Sequence, residues 1–153
     1  MENTAIAAEG VCLNEPAKKV LVWVTSPLGC KKIMLEASIY AERESAELVI
    51  VSIQSPITDD WGNKVRTLET LERAARDVGA QLTVEYSDNP LKSAFRIIST
   101  VKPVCMYTGL PEAGMKSAFV ENVCQMAGNI PVYTVDRLGN TARVDTPLTT
   151  QDP

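Results

Sequence analysis

The side chains that could contact a small anion or a nucleotide follow two predicted strands. Thr25 and Ser26 come directly after one apolar run, and Gly109, Gly114 and Ser117 come after another. Hydroxyl groups donate hydrogen bonds, and glycines let backbone amides approach a ligand closely. These five residues are therefore the predicted ligand site. The alternative is that the hydroxyls serve only turns and helix caps, which Ser and Thr supply in many proteins.

The residue types needed for several kinds of catalysis and metal binding are missing. The sequence has no histidine, which excludes Ser–His and Cys–His catalysis. Its cysteines, Cys12, Cys30, Cys105 and Cys124, lie far apart and form no CxxC pair. Asp59-Asp60 lacks a third nearby ligand for a cation, which favours a solvated loop. We therefore predict no catalytic residues and no metal site.

Two residues have competing interpretations. Cys30, at a predicted helix start beside Lys31 and Lys32, could have a lowered pKa and sense oxidants. The favoured interpretation is that Cys30 is a small, semi-apolar residue that stands where a helix cap would be. Trp61 could cover a ligand as a lid, although packing against the second helix is favoured. Cys105 and Cys124 are predicted to lie in the core.

The composition indicates one globular domain that does not bind nucleic acid. The chain has 153 residues, 45% of them hydrophobic, and a net charge of −4. No run of Lys or Arg could follow a phosphate backbone or an anionic membrane surface. The longest apolar runs are too short for a bilayer span. Residues 1–10 contain two acids and no basic, apolar leader, so we expect a cytoplasmic protein with reduced thiols.

Strands and helices are predicted to alternate along the chain. Continuous apolar runs are typical of strands buried on both faces, and apolar residues at helical spacing indicate helices between them. This βαβ rhythm predicts an α/β fold with a five-stranded parallel sheet of order 3-2-1-4-5, covered by helices on both faces. The predicted strands are residues 20–25, 46–53, 82–86, 104–108 and 130–135, and the helices are 30–44, 63–78 with Asn63 as cap, 91–101 and 116–127.

The strand order predicts where a ligand would bind. Between strands 1 and 4 the chain reverses its direction of winding, and a crevice opens there at the carboxyl ends. The predicted domain comprises residues 18–136, preceded by a flexible leader of residues 1–17 and followed by a tail of residues 137–153. In that tail, residues 138–141 could turn a short hairpin, with 142–144 returning along strand 5. A disordered tail is the favoured interpretation.

Several segments resemble the universal stress protein family. Residues 18–24, the turn after them, the spaced alanines Ala37 and Ala41, and the segment Ala46-Glu47-Leu48 are similar to the opening βαβ unit of that family. Ile130-Pro131-Val132 resembles its last strand. The likeness covers residues 18–136 and implies a three-layer α/β/α sandwich.

Two further motifs belong to the same resemblance. Asn89-Pro90 resembles the Gly-x-Pro start of the family's third helix. Thr25-Ser26-Pro27 is similar to the turn in a related domain of potassium-sensor kinases. The family includes members that bind ATP and members that form dimers through their last strands.

The residues that hold ATP in the family are replaced here. Its ATP-binding members end strand 1 with aspartate, where this chain has Thr25. They follow strand 4 with Gly-x2-Gly-x9-Gly-Ser/Thr, and Ala118 and Phe119 fall at the Gly-Ser position. The loop of residues 109–114 is also shorter, and its Pro111 removes an amide donor. We predict that no cofactor is bound, with ATP or AMP as the disfavoured alternative.

The resemblance and these departures together predict a noncatalytic regulatory domain. We expect a homodimer formed through the exposed β-rich edge of Val132, Tyr133, Thr134 and Val135, and a protein partner whose identity the sequence does not give. One alternative is a module that binds a nucleotide or small metabolite in the crevice. A nucleotide hydrolase is the least favoured interpretation.

Overall fold

The computed structural model describes residues 17–109 and 118–144. Gly114 and Ser117 of the predicted ligand site lie outside the described residues. So do Cys12, residues 1–16 of the predicted leader and residues 145–153 of the predicted tail.

One six-stranded sheet forms the centre of the domain. The order of its strands is β3-β2-β1-β4-β5-β6, in which β1 to β5 are parallel and β6 is antiparallel to β5. The predicted order of the first five strands and the short C-terminal hairpin are therefore confirmed. The strands are β1 (Lys19–Trp23), β2 (Glu47–Gln54), β3 (Leu82–Tyr86), β4 (Cys105–Gly109), β5 (Val132–Val135) and β6 (Thr141–Arg143).

Helices cover both faces of the sheet, which confirms the three-layer α/β/α sandwich. They are α1 (Cys30–Arg43), α2 (Trp61–Asp77), α3 (Pro90–Val101) and α4 (Ala118–Ala127). The first two pack on one face and the last two on the other. No helix in the described ranges combines the length and the apolar character that crossing a membrane requires.

The continuous apolar run of β1 contributes side chains to two separate hydrophobic cores, one on each face of the sheet. Val20 and Val22 belong to the core beneath α1 and α2, whereas Leu21 and Trp23 belong to the core beneath α3 and α4. Successive side chains of a strand point to opposite faces, so a strand covered on both sides must be apolar throughout. This explains why β1 has no polar alternation.

Side-chain caps set the start of two helices. The Asp60 carboxylate accepts a hydrogen bond from the Asn63 backbone amide at 3.0 Å, so Asp60 caps α2 and the predicted cap at Asn63 is wrong. The Asn89 side chain likewise accepts from Lys92 N at 3.2 Å, with Pro90 as the first residue of α3. A cap needs a side-chain oxygen positioned before the first free amides, and Asp60 holds that position.

A tight turn joins β5 to β6 and holds the hairpin on α1. The Asp136 carboxylate accepts hydrogen bonds from the backbone amides of Leu138 and Asn140, each at 2.9 Å. Gly139 adopts a φ of +91°, a conformation that glycine reaches without strain. The Thr141 hydroxyl donates to Glu36 on α1 at 3.1 Å.

The hairpin determines which strand lies at the edge of the sheet beside β5. Val132, Tyr133, Thr134 and Val135 were predicted to present a free edge to a second copy, but β6 pairs along it within the same chain. The prediction of a free β5 edge is therefore wrong. The short turn and its contact with α1 bring β6 back onto β5, and β6 becomes the edge strand.

Candidate ligand-binding crevice

A cavity of about 420 Å³ opens at the carboxyl ends of β1 and β4. This is the place where the order of the strands predicts a ligand crevice. Its lining within the described residues is half apolar and contains one acid and one cation. The lining residues are Trp23, Val24, Thr25, Ser26, Leu28, Gly29, Ile33, Thr108, Gly109, Phe119, Val120, Val135, Asp136 and Arg137.

Three of the predicted ligand residues meet in this lining. Thr25 and Ser26 are exposed at the rim, and Gly109 is half-buried. The Ser26 hydroxyl accepts a hydrogen bond from Leu28 N at 3.1 Å, so it also serves the turn. A Cβ at Gly109 would lie 3.1 Å from Ile33 Cδ1, which shows that α1 approaches β4 closely at this point.

An aromatic pair forms part of the crevice wall. The rings of Trp23 and Phe119 meet edge to face, with centroids 5.6 Å apart and an interplanar angle of 78°. Trp23 is only 4% exposed, and its Nε1 donates to Met106 Sδ at 3.4 Å. Sequence reasoning placed Phe119 at a position that the resemblance gives to a small residue, but it did not predict that this ring would contact Trp23.

A second, smaller recess of about 200 Å³ continues from the first. The two share Trp23, Val24, Thr25 and Phe119. The remaining residues that line the smaller recess are all apolar, namely Val51, Ile53 and Pro90. The crevice therefore has an apolar end under α3 and a more polar end beside α1.

The polar end faces the start of α1. Gly29 caps this helix with a φ of +78° and offers no side-chain acceptor to the first amides, and the first turn contains no acid. The N-terminus of a helix carries a partial positive charge. Lys31 and Lys32 add two cations, and Arg137 lines both the main cavity and an adjoining recess beside them. Lys31 and Lys32 line that adjoining recess, whereas the described lining of the main cavity holds the opposite charges of Arg137 and Asp136.

Asp136 is the acid in the crevice lining, and it is committed to the hairpin turn. Hydrogen bonds from Asn140, first from its backbone amide and then from its side chain, hold the pKa of this carboxyl below its usual range. The Asn140 side-chain nitrogen lies 3.1 Å from the second carboxylate oxygen. Asp136 therefore remains ionised and orders the turn that borders the crevice.

The three cysteines that the structure describes are buried rather than poised to react. Cys30 is the first residue of α1 and is fully buried, and burial raises the pKa of its thiol although Lys31 acts in the opposite direction. The lowered pKa considered for Cys30 is therefore wrong. Cys105 and Cys124 lie in the core as predicted, and burial raises the pKa of Cys105 to about 11.

Two further alternatives from the sequence lie away from the crevice. Trp61 begins α2, is 51% exposed and has Lys64 Nζ 5.6 Å from its ring centroid. It does not line the crevice, so a lid over that site is not its role here. Within the described ranges, no group of three or more Cys, Asp or Glu side chains could hold a metal ion.

Comparisons with known proteins were made by sequence and by structure. No protein-family model matches the sequence, and no curated protein matches it. Among solved structures, a universal stress protein from Archaeoglobus fulgidus is similar with a TM-score of 0.64 and 15% identity, over 84% of this chain and 98% of that one.

Two other similar structures contain adenine nucleotides. One is a universal stress protein in complex with cAMP, with a TM-score of 0.58 and 17% identity over 80% of this chain and 99% of the other. The other is a universal stress protein from Archaeoglobus fulgidus in complex with dAMP, with a TM-score of 0.56 and 15% identity over 78% of this chain and 97% of the other. At these identities the likeness concerns architecture. The chain has the fold of the universal stress proteins.

Proposed function

We propose that this chain is a noncatalytic regulatory domain that lacks the ATP site implied by the resemblance to universal stress proteins. The observation that carries this proposal is the contact between Phe119 and Trp23 at the start of α4. The resemblance gives that position to a Gly-Ser pair, where the start of the helix would face phosphates. A phenyl ring there places apolar surface where donors are needed.

The charges of the described crevice support the same proposal. Arg137 is the one cation and Asp136 the one acid among the lining residues that the structure describes. A triphosphate carries several negative charges and is usually bound with Mg²⁺, which prefers carboxylate ligands. Asp136 is engaged by the turn, and Thr25 replaces the family's aspartate at the end of strand 1. Few of the described lining residues therefore remain that could neutralise the phosphate charges or coordinate the metal.

The experiment for this proposal asks whether the purified protein carries a nucleotide. The protein is denatured, and the supernatant is separated by ion-exchange chromatography. Absorbance is recorded at about 260 nm, close to the absorbance maximum of adenine. We expect no adenine nucleotide in stoichiometric amount. ATP recovered at one molecule per chain would contradict the proposal.

A noncatalytic role follows from the same residues. The chain has no histidine, and Asp136 accepts hydrogen bonds from backbone amides rather than facing a reacting group. General acid–base catalysis needs a group within hydrogen-bond reach of the substrate and with a suitable pKa. We expect no phosphate release from ATP above a buffer blank, and turnover that is lost in a Thr25→Ala variant would contradict this.

The second candidate function is binding of a nucleotide or small metabolite in the crevice. The cavity and its smaller recess support it, because their combined size falls in the range of ligand sites. Two structural relatives hold cAMP and dAMP, each with a single phosphate. Calorimetric titration with AMP tests this candidate, and saturable heat at one site per chain would support it.

We also propose that the chain forms a homodimer through the edge of β6 that pairs with no other strand among the described residues, and that it contacts a further protein. An unpaired strand edge favours pairing with another strand, and two-fold dimers are the commonest oligomers. All three residues of β6 are exposed. A cytoplasmic location belongs to the same proposal, supported by the free thiols of Cys30, Cys105 and Cys124.

A further inference from the structure

We infer that the outer edge of β3, together with the apolar side of α2 above it, binds an extended segment of another protein. That segment has apolar side chains at alternate positions and an acidic residue at one end. This inference rests on the part of the proposed function that gives the chain a protein partner. It adds where the partner binds and the chemistry of its binding segment.

The backbone of β3 has unpaired groups along its outer edge. This strand ends the sheet on the side away from β6 and pairs with β2 alone within the described residues. Ser87 N donates to Gln54 O at 2.9 Å, and alternate residues of a strand direct their backbone groups to the same side. The N–H and C=O groups of Val84 and Tyr86 therefore point away from β2. An edge of this kind is a template for one more strand.

Above this edge, α2 has a row of apolar side chains at helical spacing. Trp61, Val65 and Leu68 follow one another at intervals of four and three residues, so they lie on one side of the helix. Trp61 and Val65 are half-exposed, whereas Leu68 packs partly against the core. Thr70 lines the recess beside α1 and lies on the opposite side of α2, so the row is directed toward β3. Exposed apolar side chains grouped in this way mark a binding surface.

Lys64 joins the row to the end of β3 and supplies a positive charge. Its Nζ lies 5.6 Å from the centroid of the Trp61 ring and 5.8 Å from that of the half-exposed Tyr86 ring, and it donates to Ser55 O. Asp60, one turn before it, is engaged as the cap of α2. Lys64 forms no ion pair with any residue that the structure describes. A carboxylate at one end of a bound segment would complement this charge.

The position of the proposed homodimer interface favours a different chain at β3. That dimer uses β6, at the opposite edge of the sheet, so a second self-pairing through β3 would join dimers into an open-ended assembly. A segment of another protein instead closes the edge. Its backbone pairs with Val84 and Tyr86, and its apolar side chains contact Trp61 and Val65, as in recognition by strand addition.

The probes are two heptapeptides, acetylated at the amino end and labelled with fluorescein at the carboxyl end. The first is Glu-Thr-Val-Thr-Ile-Thr-Val, in which the acid and the three apolar residues share one face of a strand. The second has Gln in place of Glu. Fluorescence anisotropy measures their binding to the full chain. We expect the Glu peptide to bind with a dissociation constant of about 0.1 mM or below, and the Gln peptide about fivefold more weakly. Lys64→Gln should remove this difference.

Variants of the edge and of the row have matched controls. Val84→Pro removes an outward N–H without removing a hydrogen bond to β2, whereas Val84→Ala keeps that N–H. Val65→Glu places a charge in the apolar row, and Ile39→Glu makes the same change at an exposed site on α1. We expect Val84→Pro and Val65→Glu each to weaken binding of the Glu peptide at least about tenfold, and each control to change it less than about threefold. Circular dichroism checks that the variants remain folded.

The outcomes separate this inference from the proposed function. Absence of binding by both peptides, equal binding of the two, or an equal effect of Val65→Glu and Ile39→Glu would overturn the inference. The proposed loss of ATP binding and the β6 dimer would stand, because nucleotide recovery and light scattering measure them separately. Conversion of a dimer into a monomer by Val84→Pro would make β3 the self-pairing edge and would contradict both the inference and the β6 dimer.

Discussion

The indole ring of Trp23 and the phenyl ring of Phe119 meet edge to face at the carboxyl end of β1, with ring centroids 5.6 Å apart. Trp23 comes from the central strand of the sheet, and Phe119 comes from the first turn of α4. The contact therefore joins the helix to the strand at the crevice and gives the site an aromatic wall.

Removing the Phe119 ring is expected to destabilise the domain. Phe119 is partly buried in the core beneath α3 and α4, so Phe119→Ala loses buried apolar area and the contact with Trp23. We expect the free energy of unfolding in urea to fall by about 2 kcal/mol. Phe95→Ala is the control, because Phe95 is 59% exposed on α3 and should change stability by less than about 0.5 kcal/mol. Equal effects of the two variants would refute the packing role of Phe119.

The cap of α2 gives a matched pair of variants in adjacent residues. Asp60→Ala removes the acceptor of the Asn63 amide and should lower the free energy of unfolding by about 1 kcal/mol. Asp59→Ala removes the same charge next to it without removing the cap, and we expect a change within about 0.5 kcal/mol. Urea unfolding at neutral pH measures both. A larger loss for Asp59→Ala would show that Asp60 is not the effective cap.

Buried thiols should be slow to react in the folded protein. Burial raises the pKa values of Cys30, Cys105 and Cys124, so fewer thiolates are present at any pH below those values. With Ellman's reagent at pH 8, a Cys12→Ala variant should react negligibly when folded and at all three remaining sites in denaturant. Rapid reaction of Cys30 in the folded variant would revive an oxidant-sensing role.

The free edge of β6 can be altered without disturbing its pairing with β5. Two backbone hydrogen bonds join β6 and its turn to β5, from Val144 N to Val132 O and from Asp136 N to Asn140 O. Hydrogen-bonded pairs recur at every second residue, so Ala142, opposite Thr134, also belongs to such a pair. In an antiparallel pair the residues between hydrogen-bonded pairs direct their amides outward, so Arg143 N faces the free edge. Arg143→Pro should therefore weaken a dimer formed there.

Light scattering after gel filtration measures the expected change. Arg143→Pro should raise the dimer dissociation constant at least about tenfold, whereas Arg143→Ala keeps the amide and should have a small effect. Circular dichroism checks that both variants remain folded. An unchanged dimer mass for Arg143→Pro would place the interface elsewhere, and a monomeric parent protein would contradict the proposed dimer.

The strands and their order could be predicted because they depend on a strong local signal. A run such as Val20 to Val22 is apolar without alternation only when both faces of the strand are covered, and parallel strands joined by helices leave few arrangements. The crevice position followed from that order. These features do not depend on the detailed packing of any one side chain.

The aromatic wall and the hairpin depend on contacts between distant residues. The sequence indicates only that Trp23 is one more core residue of β1. Its contact with Phe119 forms because α4 packs against this strand. Residues 138–141 indicated a possible turn, but a disordered tail was the favoured interpretation, and the part that the Asp136 carboxylate takes in the turn was not predicted. The contact between Thr141 and Glu36 on α1 holds the hairpin and has no local signature. Asp60 was missed as a cap because Asn63 is equally suited by residue type.

The most direct measurement of the central claim is a calorimetric titration of the nucleotide-free chain with ATP in the presence of Mg²⁺. We expect no saturable heat at ligand concentrations up to about 1 mM, since Phe119 and Thr25 replace the groups that the resemblance gives to phosphate and metal binding. The titration with AMP serves as the comparison, because AMP carries the same base and sugar with a single phosphate. Saturable binding of ATP at one site per chain, with micromolar affinity, would contradict the account.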